Sequence, residues 1–378
     1  MTEPDAIKRN RARDIGIKIG RLQPGEYNAI TDIPGVKVGH STIIKGKSEK
    51  NKTKGIVRTG VTVIHTHDKM WQEPVYAGCH VINGNGELTG ISLINDSGLL
   101  TTPIAITNTN SVGIVRDAMI TYFHSKYPEE PPKWILPVVG ETWDGWLSDP
   151  KNMNISEEDV FKAIESAKSG AVEEGNVGGG TGMICHEFKG GIGTSSRKIK
   201  IDGKTYTVGV LVQSNYGLRY QLRINGVPIG IEITLDEVQG ITKENELIHS
   251  DIGPSEERGS IIIVAATDVP LLPVQCKRLA KRTALGLARV GSISADISGD
   301  IAIAFSTGKK INPKEVFYNV RVCGNSIISD LFEAVVESTE EAILNSLCAA
   351  ETMSGIEGRT IYSLPLNRTK DILRKYNR

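Results

Sequence analysis

The chain has 378 residues, 39% of them hydrophobic and 23% charged, which is enough to bury one large core or two modest ones. Its 44 basic residues balance its 44 acidic ones, so no global field selects nucleic acid, and Lys277, Arg278, Lys281 and Arg282 read as the solvated face of a helix. The charged N-terminal stretch MTEPDAIKRNRARD lacks the apolar core of a secretory signal and no run elsewhere reaches membrane-spanning length, so a cytoplasmic location is the expectation.

In chain order, residues 59–65 (TGVTVIH) have strand composition with alternating character. A helix is expected where Val112, Val115, Ala118, Met119 and Tyr122 recur at helical spacing. A second opens at Ser156, with Asp159 completing a capping box, presents Val160, Ile164 and Ala167, and is expected to stop at Gly170. Residues 206–213 form a strand in which Val208, Val210 and Val212 repeat at period two. The polar stretch 241–259, which contains Pro254, is expected as an exposed loop. The run 261–266 (IIIVAA) does not alternate, so it should be buried on both faces. A third helix uses Cys276, Leu279, Ala280, Ala284 and Leu287 and closes at Gly291; a strand covers 301–305. The longest helix runs over about 327–348, with Ile328, Leu331, Phe332 and Val335 on one stripe. Strands and helices mix along the whole chain without a repeat, which predicts one composite α/β domain of stacked layers.

The chemistry narrows by elimination first. No serine sits in the G-x-S-x-G context of a nucleophile elbow, and no Walker-type lysine follows a glycine loop. Residues 175–182 (GNVGGGTG) read as a tight loop under close backbone approach rather than a phosphate cradle. His65 and His67 lack a third ligand at a plausible spacing, and His40, His80, His124, His186 and His249 stand alone, so no metal is expected. Five scattered cysteines (Cys79, Cys185, Cys276, Cys323, Cys348) without a CxxC pair read as buried thiols.

One step remains. In SEERGSIIIVAATDVPLLP, Gly259 and Ser260 stand where a polar segment meets the buried run. Glycine leaves its carbonyl open and tolerates unusual dihedrals, and the serine hydroxyl can attack that carbonyl in an N-to-O acyl shift. Hydrolysis of the ester would leave a chain beginning at Ser260. Its α-amine, with an ordinary pKa of about 7.7–8.0, could then act as base for its own hydroxyl. From a Gly-Ser step alone, an ordinary turn remains the competing interpretation.

The sequence resembles the DmpA-like L-aminopeptidases/D-amidases and β-peptidyl aminopeptidases over nearly its whole length. The blocks that carry the resemblance are DIPGVKVGH (32–40), TGVTVI, NGNGELTG (83–90), VGETWDGWLSD (139–149), GGGTGMICHEFKGGIGTSSR (178–197), VLVQSNYG (210–217), RGSIIIVAATDVPLLP and SGDIAIAFST (298–307). The resemblance implies a four-layer αββα sandwich, a single domain over 1–378. It also implies cleavage between Gly259 and Ser260 into an α chain (1–259) and a β chain (260–378), and assembly as a tetramer of such pairs. It makes Ser260 the nucleophile and Ser298 and Asp300 its assistants. Asn215 becomes the oxyanion donor, a role that contributes on the order of 3 kcal/mol. Glu141 becomes the acceptor of the substrate's free ammonium, which would exclude acylated substrates. The implied activity is hydrolysis of N-terminal residues from small peptides, amides or esters through an acyl-enzyme, without cofactor. The family often has tyrosine after Glu-Thr; here Trp143 stands there, and an indole N–H can donate but not relay a proton. Trp143 is therefore expected as pocket wall, and Trp146 as wall or core. Two rivals stand beside this reading: an acyltransferase of the ornithine acetyltransferase type, which Ser260 in place of threonine argues against, and an uncut binding protein.

Overall fold

The computed structural model describes residues 9–128, 134–241 and 259–378; the expected loop over 241–259 lies, apart from its two ends, outside them. The strands that matter are β1 (Lys37–Lys45), β2 (Val57–His65), β3 (Val75–Gly84), β4 (Leu99–Leu100), β5 (Ile104–Asn108), β6 (Val138–Thr142), β7 (Gly191–Ile201), β8 (Lys204–Asn215), β9 (Gly259–Thr267) and β10 (Ser298–Lys310). They form a four-stranded sheet in the order β1-β2-β5-β6 and a six-stranded sheet in the order β4-β3-β10-β9-β8-β7. The helices are α1 (Ile91–Ser97), α2 (Val112–Lys126), α3 (Glu157–Glu165), α4 (Pro273–Val290), α5 (Ile328–Ala349) and α6 (Leu366–Lys375).

The two sheets stack face to face. Ile64, Ile104, Ile106 and Val138 from the smaller sheet meet Leu211, Ile262, Val264 and Ile303 from the larger in one apolar layer. On the outer face of the small sheet, Val61, Val63, Ala105 and Val139 pack against Val115 and Met119 of α2 and Val160 and Ile164 of α3. On the outer face of the large sheet, Val210, Ile261 and Ile263 pack against Leu279 of α4 and Leu331, Val335 and Leu344 of α5. Helix, sheet, sheet, helix is the layer order, as the resemblance implied.

Strand β9 lies inside the large sheet, antiparallel to β8 and parallel to β10. Its unbroken apolar run follows from that place, since Ile261 and Ile263 face one core while Ile262 and Val264 face the other. Each fully buried Ile or Val contributes roughly 1.5–3 kcal/mol, so the strand carrying Ser260 is a rigid support. Strand β2 alternates in sequence but is buried on both faces, because α2 and α3 cover the side that would otherwise meet solvent. Helix α3 has the expected cap, with the Ser156 hydroxyl accepting from Asp159 N–H, but ends at Glu165 rather than Gly170. The chain is drawn off there because Lys168 exchanges two backbone hydrogen bonds with Val38 of β1. No helix among the described residues is long and apolar enough to cross a membrane.

Helix α5 is buried around its whole circumference over its last four turns, and three glutamates, Glu337, Glu340 and Glu341, are buried with it. Arg197 of β7, with no exposed surface, donates to Glu337 at 2.8 Å and to Glu341 at 2.7 Å, and Arg13 adds a 2.7 Å contact to Glu341. The five cysteines are all free and buried.

Candidate active site

Register places the key residues beside one another. Antiparallel pairing of β8 with β9 sets Asn215 opposite Ser260. Parallel pairing of β9 with β10 sets Gly259 opposite Ser298, and Ser260 opposite Gly299. Ser260, Gly259, Asn215, Glu141, Trp143 and Trp146 all line one cavity of about 980 Å³, large enough for a short peptide. Ser298 and Asp300 sit behind it, fully buried.

Gly259 has φ +137°, and a Cβ there would fall 2.0 Å from the Asn215 carbonyl oxygen, so only glycine fits before Ser260. The Ser260 hydroxyl oxygen accepts the Gly299 N–H at 3.2 Å, a contact that holds its side chain and favours a developing alkoxide. Ser298 donates its hydroxyl proton to Asp300 Oδ1 at 2.5 Å, which leaves the Ser298 oxygen free to accept. Burial raises Asp300 above the ordinary aspartate range, partly offset by hydrogen bonds from Ser298, Ser294 and the Ile261 backbone.

Asn215 is fixed at both ends of its carboxamide. Its oxygen accepts the Ile184 N–H at 2.8 Å and its nitrogen donates to the Trp143 carbonyl at 3.1 Å. One Nδ2 proton is left for an oxyanion. The contribution of Trp143 is thus partly through its backbone, which aims Asn215. Its indole, 44% exposed, forms cavity wall and covers Gly145, where a Cβ would come within 2.4 Å of the ring. Trp146 is buried against Leu147, Met353 and Ile361 and also lines the cavity, with the Arg359 guanidinium 5.6 Å over its ring.

Glu141, at the end of β6, is only 3% exposed. Its two oxygens accept from the Glu87 N–H at 3.0 Å and from the Thr109 hydroxyl. Burial, with a smaller push from the Glu87 charge, raises its pKa despite those two donors, and no cation among the described residues offsets it. A desolvated carboxylate at the cavity wall is stabilised by any positive charge brought close to it.

Sequence reasoning did not find Thr109, the Glu87 N–H or the Gly299 N–H. Thr109 reaches Glu141 only because β5 and β6 pair in parallel, Thr107 opposite Glu141, across more than thirty intervening residues, for which the local pattern gives no signal. The residues weighed for other chemistries are spent elsewhere. Gly178–Gly180 are buried, and a Cβ on Gly179 would meet Gln213 Oε1 at 2.1 Å, so the glycine stretch serves close packing. His67 contacts the Glu73 carbonyl at 2.9 Å and accepts from Lys69 N–H at 3.2 Å, while burial lowers His65 to about 4. Among the described residues no group of three or more His, Cys, Asp or Glu could hold a metal ion.

Comparison with known proteins gives this geometry a context. The model of the family described as Peptidase family S58 matches residues 28–361. The β-peptidyl aminopeptidase BapA of Sphingosinicella microcystinivorans is 46% identical over 374 residues, 97% of this chain and 93% of that protein. Among solved structures, the L-aminopeptidase D-Ala-esterase/amidase of Ochrobactrum anthropi, described as a prototype for the serine aminopeptidases and a variant of the Ntn hydrolase fold, superimposes with a TM-score of 0.87 at 40% identity, covering 97% of this chain and 99% of that one. A Burkholderia sp. β-aminopeptidase superimposes with a TM-score of 0.84 at 44% identity, over 97% and 99% of the two chains.

Proposed function

The chain belongs to peptidase family S58 and is an aminopeptidase, and we propose that it becomes active by cutting itself between Gly259 and Ser260. The observation that carries the proposal is that Ser260, Asn215 and Glu141 share one cavity while Gly259 is held where only glycine fits. In the cut, Ser260 Oγ attacks the Gly259 carbonyl carbon, the C–N bond breaks, and the nitrogen takes the hydroxyl proton. Water then hydrolyses the ester, releasing the Gly259 carboxylate and restoring the Ser260 hydroxyl beside the amine freed in the shift. The products are an α chain, 1–259, and a β chain, 260–378.

In turnover the Ser260 amine takes the proton of its own hydroxyl as the oxygen attacks the substrate carbonyl. Ser298, oriented by Asp300, accepts a hydrogen bond from that amine, as a third group steadies the base in a triad. Asn215 Nδ2 donates to the oxyanion. Collapse of the tetrahedral intermediate leaves an acyl-enzyme and expels the amine product, and water completes hydrolysis. Glu141 selects substrates with a free N-terminal ammonium, because an acylated end would leave a buried carboxylate unpaired. The relatives' names extend the reading to β-amino-acid and D-alanyl substrates as well as L-residues. A homo-oligomer fits the exposed apolar loop bearing Val316 and Phe317, 85% and 90% exposed, and a cytoplasmic site fits five free thiols.

Mass spectrometry of the purified protein tests the cut: two pieces meeting at 259/260 are expected, and activity from a wholly uncut chain would end the proposal. Ser260→Ala should give an uncut chain with activity down by about 10³ or more.

A further inference from the structure

We infer that Asn85 is a second recognition group for the substrate's ammonium, an inference that rests on Glu141 being the charge partner. A primary ammonium carries three N–H donors and no acceptor, and each donor left unmatched in a closed cavity costs binding. Glu141 alone is a constrained partner, since its Oε1 already accepts the Glu87 N–H and its Oε2 the Thr109 hydroxyl. Further acceptors must come from the neighbouring wall.

That wall is the loop between β3 and α1. Glu87 N–H reaches Glu141, and a Cβ on Gly86 would stand 3.2 Å from Glu141 Oε1, so the backbone at 86 and 87 lies directly on the carboxylate. Asn85, next in the chain, lines the same cavity. Its side chain is not free to choose its orientation: Nδ2 donates to the Ile297 carbonyl at 2.7 Å. Its backbone N–H donates to the Ser298 carbonyl at 3.3 Å, which ties the residue to the strand that supports Ser260. With the amide nitrogen committed, the carboxamide oxygen is the uncommitted function, and it accepts no hydrogen bond among the described residues. A neutral acceptor on the exposed rim of the cavity that also holds the buried carboxylate complements an ammonium without adding a second desolvated charge. At the end of β3 just before this loop, Asn83 donates to the carbonyls of Ala295 and Asp296, so the loop and the segment leading into Ser298 share one support.

The test compares two amide inhibitors of equal size, one with a primary ammonium and one a des-amino analogue with methyl in its place. Inhibition constants are measured on wild type, Asn85→Leu and Glu141→Gln. For the ammonium compound, Asn85→Leu should weaken binding about tenfold, and for the des-amino compound by less than about twofold. Equal shifts for both compounds, or none for either, would overturn the role of Asn85, because a merely structural loss would treat the two alike. Glu141→Gln separates the two levels: if it fails to discriminate between the compounds, the charge-partner reading falls; if it discriminates while Asn85→Leu does not, only Asn85 falls. Asn85→Ser, which keeps a small acceptor, should recover part of the selectivity against Asn85→Leu, and equal selectivity for both would also count against the carboxamide.

Discussion

Two groups of buried carboxylates in this molecule are treated in opposite ways. Under the large sheet, Glu337 and Glu341 of α5 meet Arg197 and Arg13, and Asn28 adds a 2.5 Å hydrogen bond to Glu341. Burial pushes Glu341 up, but hydrogen bonding to Arg13 and the Arg197 charge outweigh it, and its pKa ends below the ordinary value. At the cavity, Glu141 and Asp300 receive only hydroxyl and backbone donors, and both end above their ordinary values. Glu337 and Glu341 are matched by cations as they stand, while Glu340 beside them, 3.3 Å from Arg289, is still raised by burial. The carboxylates at the cavity have no cation partner among the described residues, an arrangement that leaves Glu141 able to receive one.

Removing the cation shared by Glu337 and Glu341 should have the largest effect. Arg197→Met leaves Glu341 with Arg13 as its remaining cation and Glu337 with backbone donors alone, and should lower the unfolding free energy by about 3–5 kcal/mol in urea titration. A loss below about 1 kcal/mol would mean that water enters the cluster freely, and the contrast between the regions would dissolve. Asp300→Asn should reverse the pattern: stability within about 1 kcal/mol of wild type, but kcat down by about a hundredfold or more, because a carboxamide cannot stabilise the positive charge that Ser298 relays. Equal losses of stability and turnover would make Asp300 a structural carboxylate after all.

How much of this was legible beforehand depended on whether the signal was local. Strand β9 was, since an unbroken apolar run of strand length predicts burial on both faces, whereas the Gly-Ser step before it left an ordinary turn open until the family resemblance singled out Ser260. The cap of α3 at Ser156 and the stop of α4 at Gly291, with φ +112°, were legible for the same reason. The pairing of Asn215 with Ser260 was not, because it depends on antiparallel register between distant segments; the family resemblance implied only a role for Asn215. Arg197, in TSSRKIK, looks like the solvated end of a strand; that it is wholly buried follows from α5 lying over β7, which no window around residue 197 contains. Trp143 was expected to matter through its indole, yet its carbonyl makes the contact to Asn215.

The smallest effect is also the one with the most informative sign. Glu141 is raised by burial in the folded protein, so between the ordinary glutamate value and its folded value the native state holds more proton than the unfolded state. Stability therefore falls as pH rises through that window, and the loss is complete above the folded value. Glu141→Gln removes this term. The variant should match wild type at acid pH and exceed it by roughly 0.5–2 kcal/mol at neutral pH, in urea titrations run across the range. Hydrolysis of free-amine substrates should run the other way, with wild-type kcat/KM falling as pH drops through the same window, because a protonated Glu141 no longer attracts an ammonium. Opposite slopes for stability and activity over one pH range tie both to a single uncompensated carboxylate. Parallel slopes would mean that Glu141 already has a counter-charge, and that the cavity resembles the Arg197 cluster rather than differing from it.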